Sequence, residues 1–217
     1  MVSAIIPTLN SQEFLPRLFE SLIVGVMSGV LKEVIIADGG SKDDTLFISD
    51  AAGAKIVEAP ESRGARLAMG AKAARGDWLM FLHPEIALEP RWDEEAISFM
   101  EKTTLERPRA AAFRLGVDDF GQTAKRIEFA AALHFWLLGR AYGEQGLLIP
   151  TRFYRKLGGH RPLDAGEDVD LARRIGRSRL VMLRSRALIS ASRMKKQGTA
   201  GTFGLAGFGL VRAPKAA

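Results

Sequence analysis

The sequence predicts one α/β domain on a mainly parallel central sheet flanked by helices. Three observations lead there. Short apolar runs alternate with amphipathic stretches from the first residue onward, the pattern of strand–helix units. The run Trp78-Leu79-Met80-Phe81-Leu82 is apolar without a break, as expected of a strand covered on both faces at the centre of the sheet. And 217 residues, 47% hydrophobic and 26% charged, are enough for one sizeable core without crosslinks.

Each element follows from its own residues. Val2 to Ile6 is a strand, and Leu15, Leu18, Phe19 and Leu22 then recur at helical spacing. Val34 to Ala37 is a second strand that runs into Asp38-Gly39-Gly40-Ser41, with Ser41 placed to cap a helix and Asp44 to complete the capping box. A third strand is expected over Ala54 to Val57. Arg63 to Arg75 reads as a helix stopped by Gly76, ahead of the central strand. Beyond it come a helix near Asp93 to Lys102, a strand at Ala110 to Leu115, a helix near Lys125 to Leu138 and a strand at Leu147 to Ile149. Gly158-Gly159 closes a short helix, and Glu167 to Ile175 forms another with an acidic first turn. Residues 1–192 are taken as the folded domain, and residues 193–217 as a basic tail containing Gly and Phe.

Composition removes several classes. With no Cys, disulfide scaffolds, thiolate metal sites and cysteine nucleophiles are excluded, and three His leave little for a histidine-rich metal centre. The first residues carry no basic stretch ahead of an apolar one, and no segment reaches the ~20 apolar residues of a membrane span, so a cytoplasmic protein is expected. Net charge is +6, unevenly spread. From Leu171 onward there are eleven Lys or Arg and no acid, which leaves 20 basic and 25 acidic residues before it. An anionic partner at the C-terminal end and a solvated basic tail both account for this. No nucleic acid is expected, because aromatics do not interleave with the basic residues at base-stacking spacing.

Ligands of open α/β sheets bind at the carboxyl ends of the strands, where this chain places Pro7-Thr8-Leu9-Asn10, Asp38-Gly39-Gly40-Ser41 and His83-Pro84-Glu85. Taken singly, these are also ordinary caps and turns. Their order together is distinctive. Ala4 to Asn10, Ile35 to Thr45, Arg75 to His83 and Gly166-Glu167-Asp168-Val169-Asp170-Leu171 resemble glycosyltransferase family 2 over roughly the first 190 residues, and Tyr142 to Gly146 is similar to a small single-domain bacterial subgroup that usually has Asp where Glu144 stands.

The resemblance implies a GT-A fold and an inverting transfer of sugar from a nucleotide diphosphate donor to a hydroxyl acceptor. It implies a divalent cation, Mg or Mn. It puts Pro7, Thr8 and Asn10 beside the nucleoside and Asp38 on the base or ribose. Arg63 and Arg66, a helical turn apart, would meet the donor diphosphate. Glu85 falls where the family's metal-binding carboxylate stands, with Pro84-Glu85-Ile86 departing from the subgroup's usual Ala-Asp-Thr. Glu167 and Asp168 match the element that supplies the general base, with Asp168 as the base. The rival readings are a binding module that has lost turnover and a sugar-phosphate nucleotidyltransferase. The latter expects a Gly-rich basic loop after the first strand, which Pro7 to Gln12 lacks. The acceptor is left open; a lipid-linked one would suit peripheral contact between the basic C-terminal segment and the inner face of an anionic membrane.

Overall fold

The computed structural model describes residues 1–59, 62–104, 106–118, 121, 124–126, 128–129, 131–133 and 143–190. Strands β1 (Val2–Thr8), β2 (Leu31–Asp38), β3 (Lys55–Glu58), β4 (Trp78–Phe81), β5 (Ile86–Leu88), β6 (Ala110–Asp118), β7 (Leu147–Pro150) and β8 (Leu180–Ser190) form one sheet in the order β3-β2-β1-β4-β7-β6-β8-β5. The half from β3 to β4 is parallel throughout. Past it the sheet is mixed: β7 runs antiparallel to both β4 and β6, β8 is parallel to β6, and β5 is antiparallel to β8. The apolar run at Trp78 is central, as expected.

Helices α1 (Leu15–Met27), α2 (Thr45–Ala51), α3 (Arg63–Ala73), α4 (Trp92–Glu101), α5 (Thr151–Lys156) and α6 (Glu167–Ile175) accompany the sheet, and residues 124–126, 128–129 and 131–133 are also helical. The strand period of two sorts neighbours onto opposite faces. Ile6, Ile36 and Met80 pack with Leu15, Leu18, Leu22 and Trp92 on one side, while Ile5, Ile35 and Leu79 pack with Leu67, Phe153 and Leu171 on the other. Two glycines set helix positions. A Cβ at Gly25 would lie 2.5 Å from the Trp92 ring. At Gly64 it would strike the carbonyl of Arg161, whose loop is bonded there through the Gly64 amide to Leu163 O at 2.9 Å.

Three expectations change. Ser41 does not start a helix, because its hydroxyl is engaged by Asp38 and by the Asn10 amide; α2 begins at Thr45 after Asp44. Strands β5 and β8 lie in segments not read as strands. In β8 the basic residues of Leu180–Ser190 concealed an apolar set, Leu183, Ala187 and Ile189, that is buried in the core. The positive segment also meets acids: Arg186 lies 2.6 Å from Glu89 and Glu95 accepts from Ser185 Oγ at 2.6 Å, both acids coming from earlier in the chain, while Arg174 bonds Asp170 within α6. The tail, residues 193–217, lies outside the described residues. Among these, no helix is long and apolar enough to cross a membrane.

Candidate active site

Because β1, β2 and β4 are parallel, Thr8, Asp38 and Leu82 emerge together at one end of the sheet. There a cavity is lined by Pro7, Arg63, Leu67, Phe81, Leu82, His83, Gly146, Leu147, His160, Glu167, Asp168 and Ala172. Of the residues singled out from sequence, Pro7, Arg63, Glu167 and Asp168 line it directly. Thr8, Asn10, Asp38, Arg66 and Glu85 are not among its lining residues.

Asp38 is buried, and its carboxylate is a hub. Oδ1 accepts from the hydroxyls of Thr8 at 2.8 Å and Ser41 at 2.5 Å, and Oδ2 from the amides of Gly40 at 2.8 Å and Ser41 at 2.7 Å. Burial raises its pKa, but these bonds outweigh it and hold the carboxyl below its ordinary range. Asn10, at φ 50°, ties the two loops from the other side: its amide donates to Ser41 Oγ at 2.8 Å and its Oδ1 accepts from the Lys42 amide at 2.8 Å. Asp38 thus fixes the loop geometry whatever else it does. Gly39 leaves room for the Arg66 guanidinium, which a Cβ there would meet. Burial and neighbouring Arg63 depress the Arg66 pKa, against the charges of Asp38, Glu167 and Asp164.

The cap of α3 is Ser62, whose Oγ accepts from the Ala65 amide at 3.3 Å. This start directs Arg63 across to α6, where its Nε lies 2.9 Å from Glu167 Oε1. Glu167 is buried, and burial together with Asp168 raises its pKa against the pull of Arg63. Asp168 follows at the rim, with Oδ1 accepting from the Val169 amide at 2.7 Å. A third acid, Glu144, was not among the site residues expected from sequence. It sits in a short 3-10 turn before β7, and burial first, then the charges of Asp168 and Glu167, push its pKa up to about 7 despite Arg63. Glu144 and Glu167 are thus both drawn down by the one arginine, Arg63, while burial pushes each of them up.

Glu85 stands beside His83: Oε2 is 3.9 Å from His83 Nδ1, and the Glu85 amide donates to that nitrogen at 3.4 Å. Its side chain is only 13% exposed. Among the described residues no group of three or more His, Asp or Glu could hold a metal ion. If Glu85 held a hard cation there, donor phosphates and water would have to complete the shell, a set that suits Mg²⁺ or Mn²⁺. His160, which lines the cavity, was not singled out from the sequence either; its Nδ1 lies 3.0 Å from the Tyr154 hydroxyl.

The model of the family "Glycosyl transferase family 2" matches residues 3–114, just over half of the chain. No curated protein matches the chain in sequence. Among solved structures, residues 1–349 of TarS from S. aureus superpose with a TM-score of 0.65 at 15% identity, over 86% of this chain and 60% of that one. Another TarS structure holds UDP-GlcNAc. Glucosyl-3-phosphoglycerate synthase from Mycobacterium tuberculosis, in complex with Mn²⁺, UDP and glucosyl-3-phosphoglycerate, superposes with a TM-score of 0.61 at 18% identity, over 98% of this chain and 81% of that one. The chain thus spans about three fifths of the length of that TarS fragment and about four fifths of the synthase. At these identities the likeness is one of fold.

Proposed function

Since the chain belongs to glycosyltransferase family 2, we propose that it is an inverting enzyme that moves a sugar from a nucleotide diphosphate donor to a hydroxyl acceptor. The observation that carries this reading is the meeting of Asp168 and Glu167 with Pro7, Arg63 and His83 around one cavity at the carboxyl ends of β1 and β4. A carboxylate at the rim of such a cavity is what transfer to a hydroxyl needs. The acceptor oxygen attacks the anomeric carbon as the bond to the diphosphate oxygen breaks on the opposite face, and its proton passes to Asp168. Glu167, ion-paired to Arg63, holds the first turn of α6 so that Asp168 keeps its place.

In this reading Pro7, Thr8, Asn10 and Asp38 border the nucleoside, and Arg63 and Arg66 face the diphosphate. Glu85 with the donor phosphates would hold Mg²⁺ or Mn²⁺, which when bound offsets charge on the leaving diphosphate. A thermal-shift panel of uridine, guanosine and thymidine diphosphate sugars, with and without manganese, tests the reading, since a ligand bound only by the native state raises the melting temperature. A metal-dependent rise with one nucleotide is expected. No rise with any of them overturns it, and release of nucleoside diphosphate with manganese separates an enzyme from a binding module.

For the acceptor, the basic residues after Ser190 favour a lipid-linked molecule on the inner, anionic face of a membrane. Strand β8 ends one position beyond the Ile86–Ile189 pair, at the same end of the sheet as the cavity, so the segment that follows starts there. Co-sedimentation with vesicles containing anionic lipid, lost when residues after Arg193 are deleted, is the expected outcome; equal binding to neutral vesicles would overturn it.

A further inference from the structure

His160 lines the cavity beside Glu167 and Asp168 and is only 7% exposed. Its surroundings fix both its charge and its proton. The His160 amide donates to the Tyr154 hydroxyl oxygen at 2.9 Å, and that oxygen is 3.0 Å from His160 Nδ1. The Tyr154 side chain is buried as well. If Nδ1 carried the proton, the oxygen would accept twice and its own buried hydrogen would have no acceptor, a costly arrangement. The satisfied network has Tyr154 O–H donating to Nδ1, so the imidazole proton sits on Nε2. Protonation of both nitrogens is opposed: burial first, then the charges of Arg174 and Arg63, push the His160 pKa down to about 3, against a smaller pull from Asp170. The ring direction is fixed too. It packs edge-on with Phe81 at 4.6 Å and 81°, and Arg174 Nη1 donates to the carbonyls of Leu157 and Gly159 at 2.7 Å, pinning the backbone that leads into it.

The result is a neutral N–H donor, set in tautomer and direction, whose Nε2 has no partner among the described residues and whose ring borders the cavity. We propose that His160 is a specificity-determining residue: its Nε2–H donates a hydrogen bond to a hydroxyl oxygen of the sugar carried by the donor. The inference rests on the glycosyltransferase reading above. An N–H aimed at the attacking oxygen would draw density from the nucleophile, whereas one aimed at a hydroxyl of the transferred sugar tells that sugar from others without opposing the reaction. Being neutral, it discriminates by direction rather than by attracting the diphosphate.

The test uses the full chain. Long-range proton–nitrogen correlation on histidine-labelled protein is expected to show His160 as the Nε2–H tautomer. Calorimetry in manganese then compares uridine, guanosine and thymidine diphosphates with their glucose conjugates for the wild type, His160→Phe, which keeps a flat ring without a donor, and His160→Gln, which restores an N–H. Affinity for the bare diphosphate should be the same in all three. The added affinity due to glucose should fall about three- to tenfold in His160→Phe, the scale of one hydrogen bond, and recover in part in His160→Gln. An Nδ1–H tautomer, or an unchanged contribution of glucose in His160→Phe, overturns the proposal. Should the wild type bind none of the diphosphates, the glycosyltransferase reading falls first and the proposal with it.

Discussion

Glu167 and Asp168 are neighbours in sequence with opposite situations. Glu167 is buried against Arg63, whereas Asp168 borders the cavity with one oxygen turned to its own helix. Replacement of Asp168 by Asn is therefore expected to leave donor affinity nearly intact and to lower turnover by roughly a hundredfold or more, read as kcat against the donor dissociation constant. Glu144 gives a different signal. In the folded chain it keeps its proton up to about 7, against 4.5 for a free glutamate. The folded state thus binds more protons than the unfolded one between these values, and stability falls as pH rises through that window, by about 1.4 kcal/mol for each unit of displacement. Glu167 is shifted the same way. Carboxylates held low, such as Asp38 and Glu33, act on the acid side of it. Urea midpoints measured from about pH 5 to about pH 7.5 should decline in the wild type and flatten in Glu144→Gln. Neither Glu144 nor His160 is marked as a site residue by the sequence, because their character comes from burial by remote elements, whereas Asp38 and Asp168 are legible from the motifs that contain them.

Between elements, the contacts that hold the site are made by loops. Asp38→Ala removes the acceptor for two amides and two hydroxyls. It should cost about 1–3 kcal/mol of stability, and weaken nucleotide binding in the molecules that remain folded; loss of stability with unchanged affinity would make Asp38 a brace alone. Gly64→Ala drives a methyl into the Arg161 carbonyl, so α3 must part from the loop leading to Glu167. A lowered melting temperature is expected, with the amides of residues 161–168 exchanging faster than those of β1. Strands whose apolar runs are continuous, such as β1 and β4, are legible from their residues alone. Ser41 is not, since its residue type suits a cap and its use is decided by Asp38 and by the approach of Asn10 from the loop after β1. Strand β8 escapes because alternation with arginine reads as surface when the acids it meets, Glu89 and Glu95, lie about ninety residues away.

For the whole molecule, the last strand is the closing one. Strand β8 joins β5 to β6 and contributes Ala187 and Ile189 to the core. A chain ended at Arg186 is expected to lose its cooperative thermal transition, measured by calorimetry, because β5 then has no partner strand. The strand directions also separate Met1 from the end of β8. Met1 stands at the base of β1 beside Asp77, whereas Ser190 leaves β8 next to the segment that holds Glu85. A reporter dye or surface anchor joined at the first residue would sit at the opposite end of β1 from the cavity, and one joined at position 190 would stand beside the segment that holds Glu85. The same protein could thus be immobilised through its beginning for ligand measurements and labelled at the end of its last strand to sense occupancy.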